Sequence, residues 1–189
     1  MNDKDLIIAK DFYQCVCKHM KCSKPMILEI GCGYGVASTY MWQIADCLTL
    51  TDTDEKAIDY ISSQTNGKDN ILAKCMSSDQ IEGKFDVVYY FLSLHHISDI
   101  KAELKEAKRL LAEDGQLIIC DYRPDPHYLM HQHDSVPHEG FEINELMEKI
   151  SCNGFHIQAI SELTPLERII HNELAKFSVY VIIANRYSH

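Results

Sequence analysis

The chain has 189 residues, 46% of them apolar and 24% charged, which is the size and composition of one globular domain. A net charge of −10 argues against nucleic acid as a partner, because that affinity rests on neutralising phosphates with Lys and Arg. No stretch reaches the roughly 18 apolar residues that span a bilayer, and the N-terminus MNDKDLIIAKDFY has no apolar signal core, so a cytoplasmic protein without a membrane partner is expected.

Leu6, Ala9, Tyr13, Val16 and Met20 step by three and four, which predicts an N-terminal helix within residues 1–22. Cys15, Cys17 and Cys22, with His19 among them, lack the paired C-x2-C arms of common zinc sites and are read as incidental thiols. Cys32, Cys47, Cys75 and Cys120 lie in or beside strand-like runs and are read as small hydrophobes. Strands are expected at Met26–Glu29, Cys47–Thr51, Asn70–Lys74 and Phe85–Phe91, alternating with helices. The helices are Val36–Ile44, one capped by Asp54, and a long one capped by Ser98 and stopped at Gly115. A fifth strand covers Gln116–Asp121, a helix follows Asn144, and Phe155–Ile160 and Phe177–Ala184 are the last strands. Between these two, residues 162–176 read as polar and partly helical. Strand–helix alternation favours a mostly parallel sheet covered on both faces.

The most informative stretch is LEIGCGYG. An apolar strand ends in Glu29 and breaks into alternating Gly31, Gly33 and Gly35. Such glycines accept positive φ and let backbone N–H groups approach a ligand that a Cβ would exclude. Asp52 closes the next strand, where a carboxylate meets vicinal ribose hydroxyls. Asp54 is the better helix cap and leaves Asp52 for the ligand.

LEIGCGYG, LTLTDTDEKAIDYI, FDVVYYFLSLHHI and KEAKRLLAEDGQLIICDY, in that order over residues 26–122, resemble the successive motifs of class I S-adenosylmethionine-dependent methyltransferases. The similarity is nearest to the small-molecule branch. The resemblance implies an α/β, Rossmann-like seven-stranded sheet, mostly parallel with the last strand antiparallel, and helices on both faces. It implies S-adenosylmethionine as cofactor, with Glu29, Gly31 and Gly33 against the methionine part. Asp52 would hold the ribose and Thr53 would flank the adenine. Met76 would offer a backbone N–H and a soft face to the ring, and Tyr90 and Phe91 would border the sulfonium. An acid usual after the third strand is missing unless Asp79 substitutes.

Transfer of a methyl group to a small-molecule acceptor is thus the expected reaction, with the protein aligning the acceptor and excluding water. His95, His96 and His127 are the candidate bases; one of the first pair is expected to pack and the other to face the site. Residues 123–142, with His131, His133, Asp134 and His138, are expected to lie over the acceptor side, and Asp121 and Tyr122 to border it. No metal site is assigned. Two alternatives stay open: a non-catalytic cofactor-binding domain acting through a protein partner, and a nicotinamide-dinucleotide oxidoreductase. The second would need a small residue where the chain has Val36.

Overall fold

A computed structural model describes residues 3–124, 136–170 and 172–187. The chain begins with helix α1 (Asp3–His19) and strand β1 (Met26–Ile30), followed by α2 (Ser38–Met41) and β2 (Cys47–Asp52). Then come α3 (Glu55–Gln64), β3 (Ile71–Cys75) and β4 (Phe85–Phe91), with 3-10 turns at Ser78–Gln80 and Leu94–His96. Helix α4 (Ile100–Leu110), β5 (Leu111–Tyr122), α5 (Ile143–Cys152) and β6 (Phe155–Glu162) lead to β7 (Leu166–Ile170), β8 (Glu173–Phe177) and β9 (Val179–Arg186).

Seven strands form one sheet in the order β3-β2-β1-β4-β5-β9-β6. Neighbours from β3 through β5 run parallel, and β9 lies antiparallel between β5 and β6. The expected architecture is the one observed. Side chains of a strand alternate between faces, so the sheet is buried on both. One face packs Ile27, Val87, Tyr89 and Val181 against α1, α2 and α3. The other packs Leu28, Val88, Tyr90 and Ile182 against α4 and α5.

Several local expectations are corrected. On α1 the fully buried stripe is Ile8, Ala9, Phe12 and Val16, with Leu6 only half-buried. Helix α2 has a single turn. Asp99, not Ser98, caps α4, accepting from Ala102 N at 2.9 Å, and the chain turns into β5 at Leu111, before Gly115. Residues 162–176 are not helical: β7 and β8 pair as an antiparallel hairpin. Lys4–Glu167 and Arg168–Asp5 ion pairs tie this hairpin to α1. Cys75 is exposed rather than packed.

Candidate functional site

Strand order reverses between β1 and β4, and open α/β sheets bind ligands at the carboxyl ends of strands at such a reversal. A cavity of about 860 Å³ opens there, lined by Ile30, Gly31, Gly33 and Tyr34 after β1, and by Asp52, Thr53 and Asp54 after β2. Met76, Ser77 and Ser78 follow from β3, while Leu92, Ser93, His96 and Ile97 follow from β4, with Ala57 and Glu103 completing the wall. Its size falls within the roughly 300–1,000 Å³ of small-molecule pockets.

The glycine loop is held by its neighbours. Gly31 N and Cys32 N both donate to Thr51 O, at 2.9 and 3.0 Å. Gly31 has φ +71°, and a Cβ there would stand 2.7 Å from Ser93 Cβ, so only glycine fits. Gly33 has φ +49° and nothing within 4 Å of the place a Cβ would take; its α-carbon borders open cavity.

Asp52 is not free, as the sequence suggested. Its Oδ2 accepts from Gly33 N at 2.7 Å and its Oδ1 from Asp54 N at 2.9 Å, which locks the loop against the end of β2. Each carboxylate oxygen keeps a second acceptor position, enough for two vicinal hydroxyls. Asp54 caps α3 through Lys56 N, as expected. Thr53 lines the cavity.

Glu29 is placed elsewhere than expected. It is 1% exposed and does not line the cavity. Its carboxyl accepts from the Tyr89 hydroxyl at 2.6 Å, on the face covered by α1. Burial pushes its pKa up to about 8, opposed by the tyrosine hydrogen bond and reinforced by the charge of Asp52. At neutral pH this is a mostly protonated acid.

Tyr90 and Phe91 do not border the cavity either. Phe91 packs on Phe12 of α1, ring centroids 5.1 Å apart. Tyr90 is buried on the opposite face, and its hydroxyl donates to Glu103 Oε1 at 2.5 Å. Burial and the adjacent Glu103 charge raise the Tyr90 pKa, keeping it a neutral donor. Met76 lines the cavity, but its N–H donates to Asp52 O at 3.0 Å and is spent. Asp79 is exposed and accepts from Ser77 Oγ, away from the cavity.

The two adjacent histidines are placed differently. His96 lines the cavity. His95 is 2% exposed, and its Nδ1 lies 2.9 Å from Asp121 Oδ1. Asp121, wholly buried, also accepts from His95 N and Tyr122 N, so it holds three donors rather than facing an acceptor. The Tyr122 ring lies 4.7 Å from the His95 ring, tilted by 53°, and is likewise enclosed. His127, His131, His133 and Asp134 lie outside the described residues. The flanks of that segment are anchored: Arg123 N donates to Ser178 O, His138 N to His95 O and Phe141 N to Tyr122 O.

Two features were absent from the sequence reading. Leu92 has φ 52°, a conformation uncommon for a branched residue, and it turns the chain from β4 into the cavity wall. Glu103 adds a third carboxylate to Asp52 and Asp54, and no Lys or Arg lines the cavity among the described residues. That charge distribution opposes a dinucleotide's pyrophosphate and favours a cationic ligand. It weighs against the oxidoreductase alternative, and it suits the sulfonium and ammonium of S-adenosylmethionine.

Comparison with known proteins agrees with this geometry. A family model described as "Methyltransferase domain" matches residues 28–119. An uncharacterised methyltransferase of Bacillus subtilis, YcgJ, is 26% identical over 106 residues, covering 52% of this chain and 42% of that protein. A ribosomal protein L11 methyltransferase of Campylobacter jejuni is 28% identical over 145 residues, covering 75% and 48%. The chain therefore spans about half the length, or less, of these relatives. The structure of magnesium protoporphyrin IX methyltransferase from Synechocystis with bound S-adenosylhomocysteine superposes with a TM-score of 0.75 at 15% identity, covering 98% of this chain and 84% of that one, a likeness of fold. Residues 28–119 thus match a methyltransferase domain, and motif order and sheet topology are similar to those of the class I S-adenosylmethionine-dependent methyltransferases.

Proposed function

We propose that the chain binds S-adenosylmethionine in the cavity at the β1–β4 reversal and transfers its methyl group to a small-molecule acceptor. The observation that carries this reading is the cavity lining: a glycine loop pinned to Asp52, three carboxylates, and no Lys or Arg among the described residues. Asp52 holds the ribose hydroxyls, Gly31 and Gly33 give their backbone room to the methionine part, and Thr53 and Met76 flank the purine. Bound S-adenosylmethionine supplies a methyl group already activated on a positively charged sulfur. What remains for the protein is alignment, exclusion of water and reception of any acceptor proton. Among the described residues, His96 is the histidine on the cavity wall and the base we assign to that proton. His95, held by Asp121, fixes the strand–turn corner on which His96 stands.

The proteins it is similar to are named for a protein acceptor and a porphyrin acceptor, so the acceptor class follows from this chain's own charge and cavity. Its net charge of −10 and its acidic cavity disfavour polyanionic substrates, which supports a small molecule. All eight cysteines are free, which supports a reducing, cytoplasmic setting. No described helix is long and apolar enough to cross a membrane.

Calorimetric titration with S-adenosylmethionine and S-adenosylhomocysteine, beside an Asp52→Ala variant, tests the cofactor site. Binding that the variant loses is expected, and binding of neither ligand by the wild type refutes the reading. An acceptor screen that detects S-adenosylhomocysteine release then tests turnover. Cofactor binding without turnover, with a co-purifying partner, would favour the non-catalytic alternative.

A further inference from the structure

The chain following β3 brings no carboxylate to the cavity: Cys75, Met76, Ser77 and Ser78 have none, and Asp79 is exposed and not part of the lining. The backbone N–H groups of Met76 and Ser77 are also engaged, with Asp52 O and Gln80 Oε1. A carboxylate reaches this end of the cavity from another element. Glu103, in the first turn of α4, is 7% exposed and lines the same cavity as Met76, Ser78 and Ile97.

Its position is fixed from several directions. Ser78 Oγ donates to Oε2 at 2.7 Å, and the Tyr90 hydroxyl donates to Oε1 at 2.5 Å. Glu103 N donates to Asp99 O at the start of the helix. Arg109, further along α4, donates to Ser78 O and Ile81 O and so clamps the 3-10 turn against the helix.

We propose that Glu103 is the residue that recognises the exocyclic amino group of the cofactor's adenine. The inference rests on the cofactor reading above and adds a specificity determinant on α4. A carboxylate has about four acceptor positions, of which Ser78 and Tyr90 use two, leaving capacity for an N–H donor from the ligand. Both protein partners are hydroxyls that already donate to it, so toward a ligand the carboxylate acts as an acceptor. An amino group satisfies that demand, whereas a carbonyl at the same ring position sets acceptor against acceptor. Ile30, Ala57, Met76 and Ile97 supply apolar surface for a purine ring in the same cavity.

The test compares S-adenosylhomocysteine with its deaminated analogue, S-inosylhomocysteine, by calorimetry on the full chain. Wild type is expected to prefer the adenosyl ligand by about 10- to 100-fold, the value of one hydrogen bond to a charged group. Glu103→Gln can donate as well as accept. It should weaken adenosyl binding by about tenfold and leave inosyl binding within about threefold, collapsing the preference. Tyr90→Phe keeps the ring and removes one anchor, and should erode the preference partially; it carries the test if Glu103→Gln fails to fold by thermal melting. An unchanged preference in the folded variants, or equal binding of both ligands by wild type, overturns the inference while leaving the cofactor reading intact. Failure of wild type to bind either ligand overturns both.

Discussion

Glu29 offers the sharpest quantitative test, because one buried group makes stability depend on pH in a stated direction. Its carboxyl is 1% exposed, bonded to Tyr89 and near Asp52, with a pKa of about 8. In the unfolded chain the same group titrates near the ordinary glutamate value of 4.5. Between those values the folded state keeps a proton that the unfolded state releases, so the native state binds more protons and stability falls as pH rises. The slope is about 1.4 kcal/mol per pH unit, hence about 3 kcal/mol lost between pH 5 and 7.5 from this group alone. Above pH 8 the contribution levels off. Glu29→Gln keeps the shape and an acceptor for the tyrosine hydroxyl but cannot titrate. Equilibrium urea unfolding of both proteins, free of cofactor, at several pH values from 5 to 8.5 measures the difference. The variant should gain on wild type steadily with pH and stop gaining above 8. Parallel stability curves would show that Glu29 is ionised in the native state and would refute the reasoning.

Two further predictions separate roles within the site. Gly31→Ala must accommodate φ +71° and a Cβ only 2.7 Å from Ser93 Cβ, so it should cost about 2–3 kcal/mol of stability by thermal or urea unfolding. Gly33→Ala meets no neighbour within 4 Å and should cost only about 1 kcal/mol, yet lower S-adenosylhomocysteine affinity by at least about tenfold by filling ligand space; equal stability losses in the two variants would contradict the loop geometry. Asp121→Asn replaces the acceptor of three donors by a group with one acceptor oxygen, and should destabilise by about 2–4 kcal/mol. A loss under about 1 kcal/mol in urea unfolding would mean that the buried Asp121–His95 pair does not hold the corner.

What was legible in the sequence follows from the range of the forces involved. The seven-stranded sheet is written in local signals: β4 is a run of Val and aromatics, and the Asp54 cap lies at the start of the helix it closes. The hairpin of β7 and β8 was missed because its anchors, Lys4 and Asp5, lie at the far end of the chain. Glu29 was seen but misplaced, since a strand residue faces one side or the other and only the packing of α1 decides what it meets there. Tyr90 and Phe91 went the same way, each directed into a core rather than to the ligand.

Glu103 differs, because a signal for it was present. Ile100, Leu104 and Ala107 mark the buried stripe of α4, and position 103 falls on the same face, one turn after Ile100. An acid within an apolar helix stripe is costly to bury unless donors meet it. The tyrosine of the neighbouring strand and the serine of the 3-10 turn are such donors. Two hydroxyls use only part of a carboxylate's capacity, and Glu103 also lines the cavity. The position therefore offers a ligand donor an acceptor, and that offer is independent of which molecule accepts the methyl group.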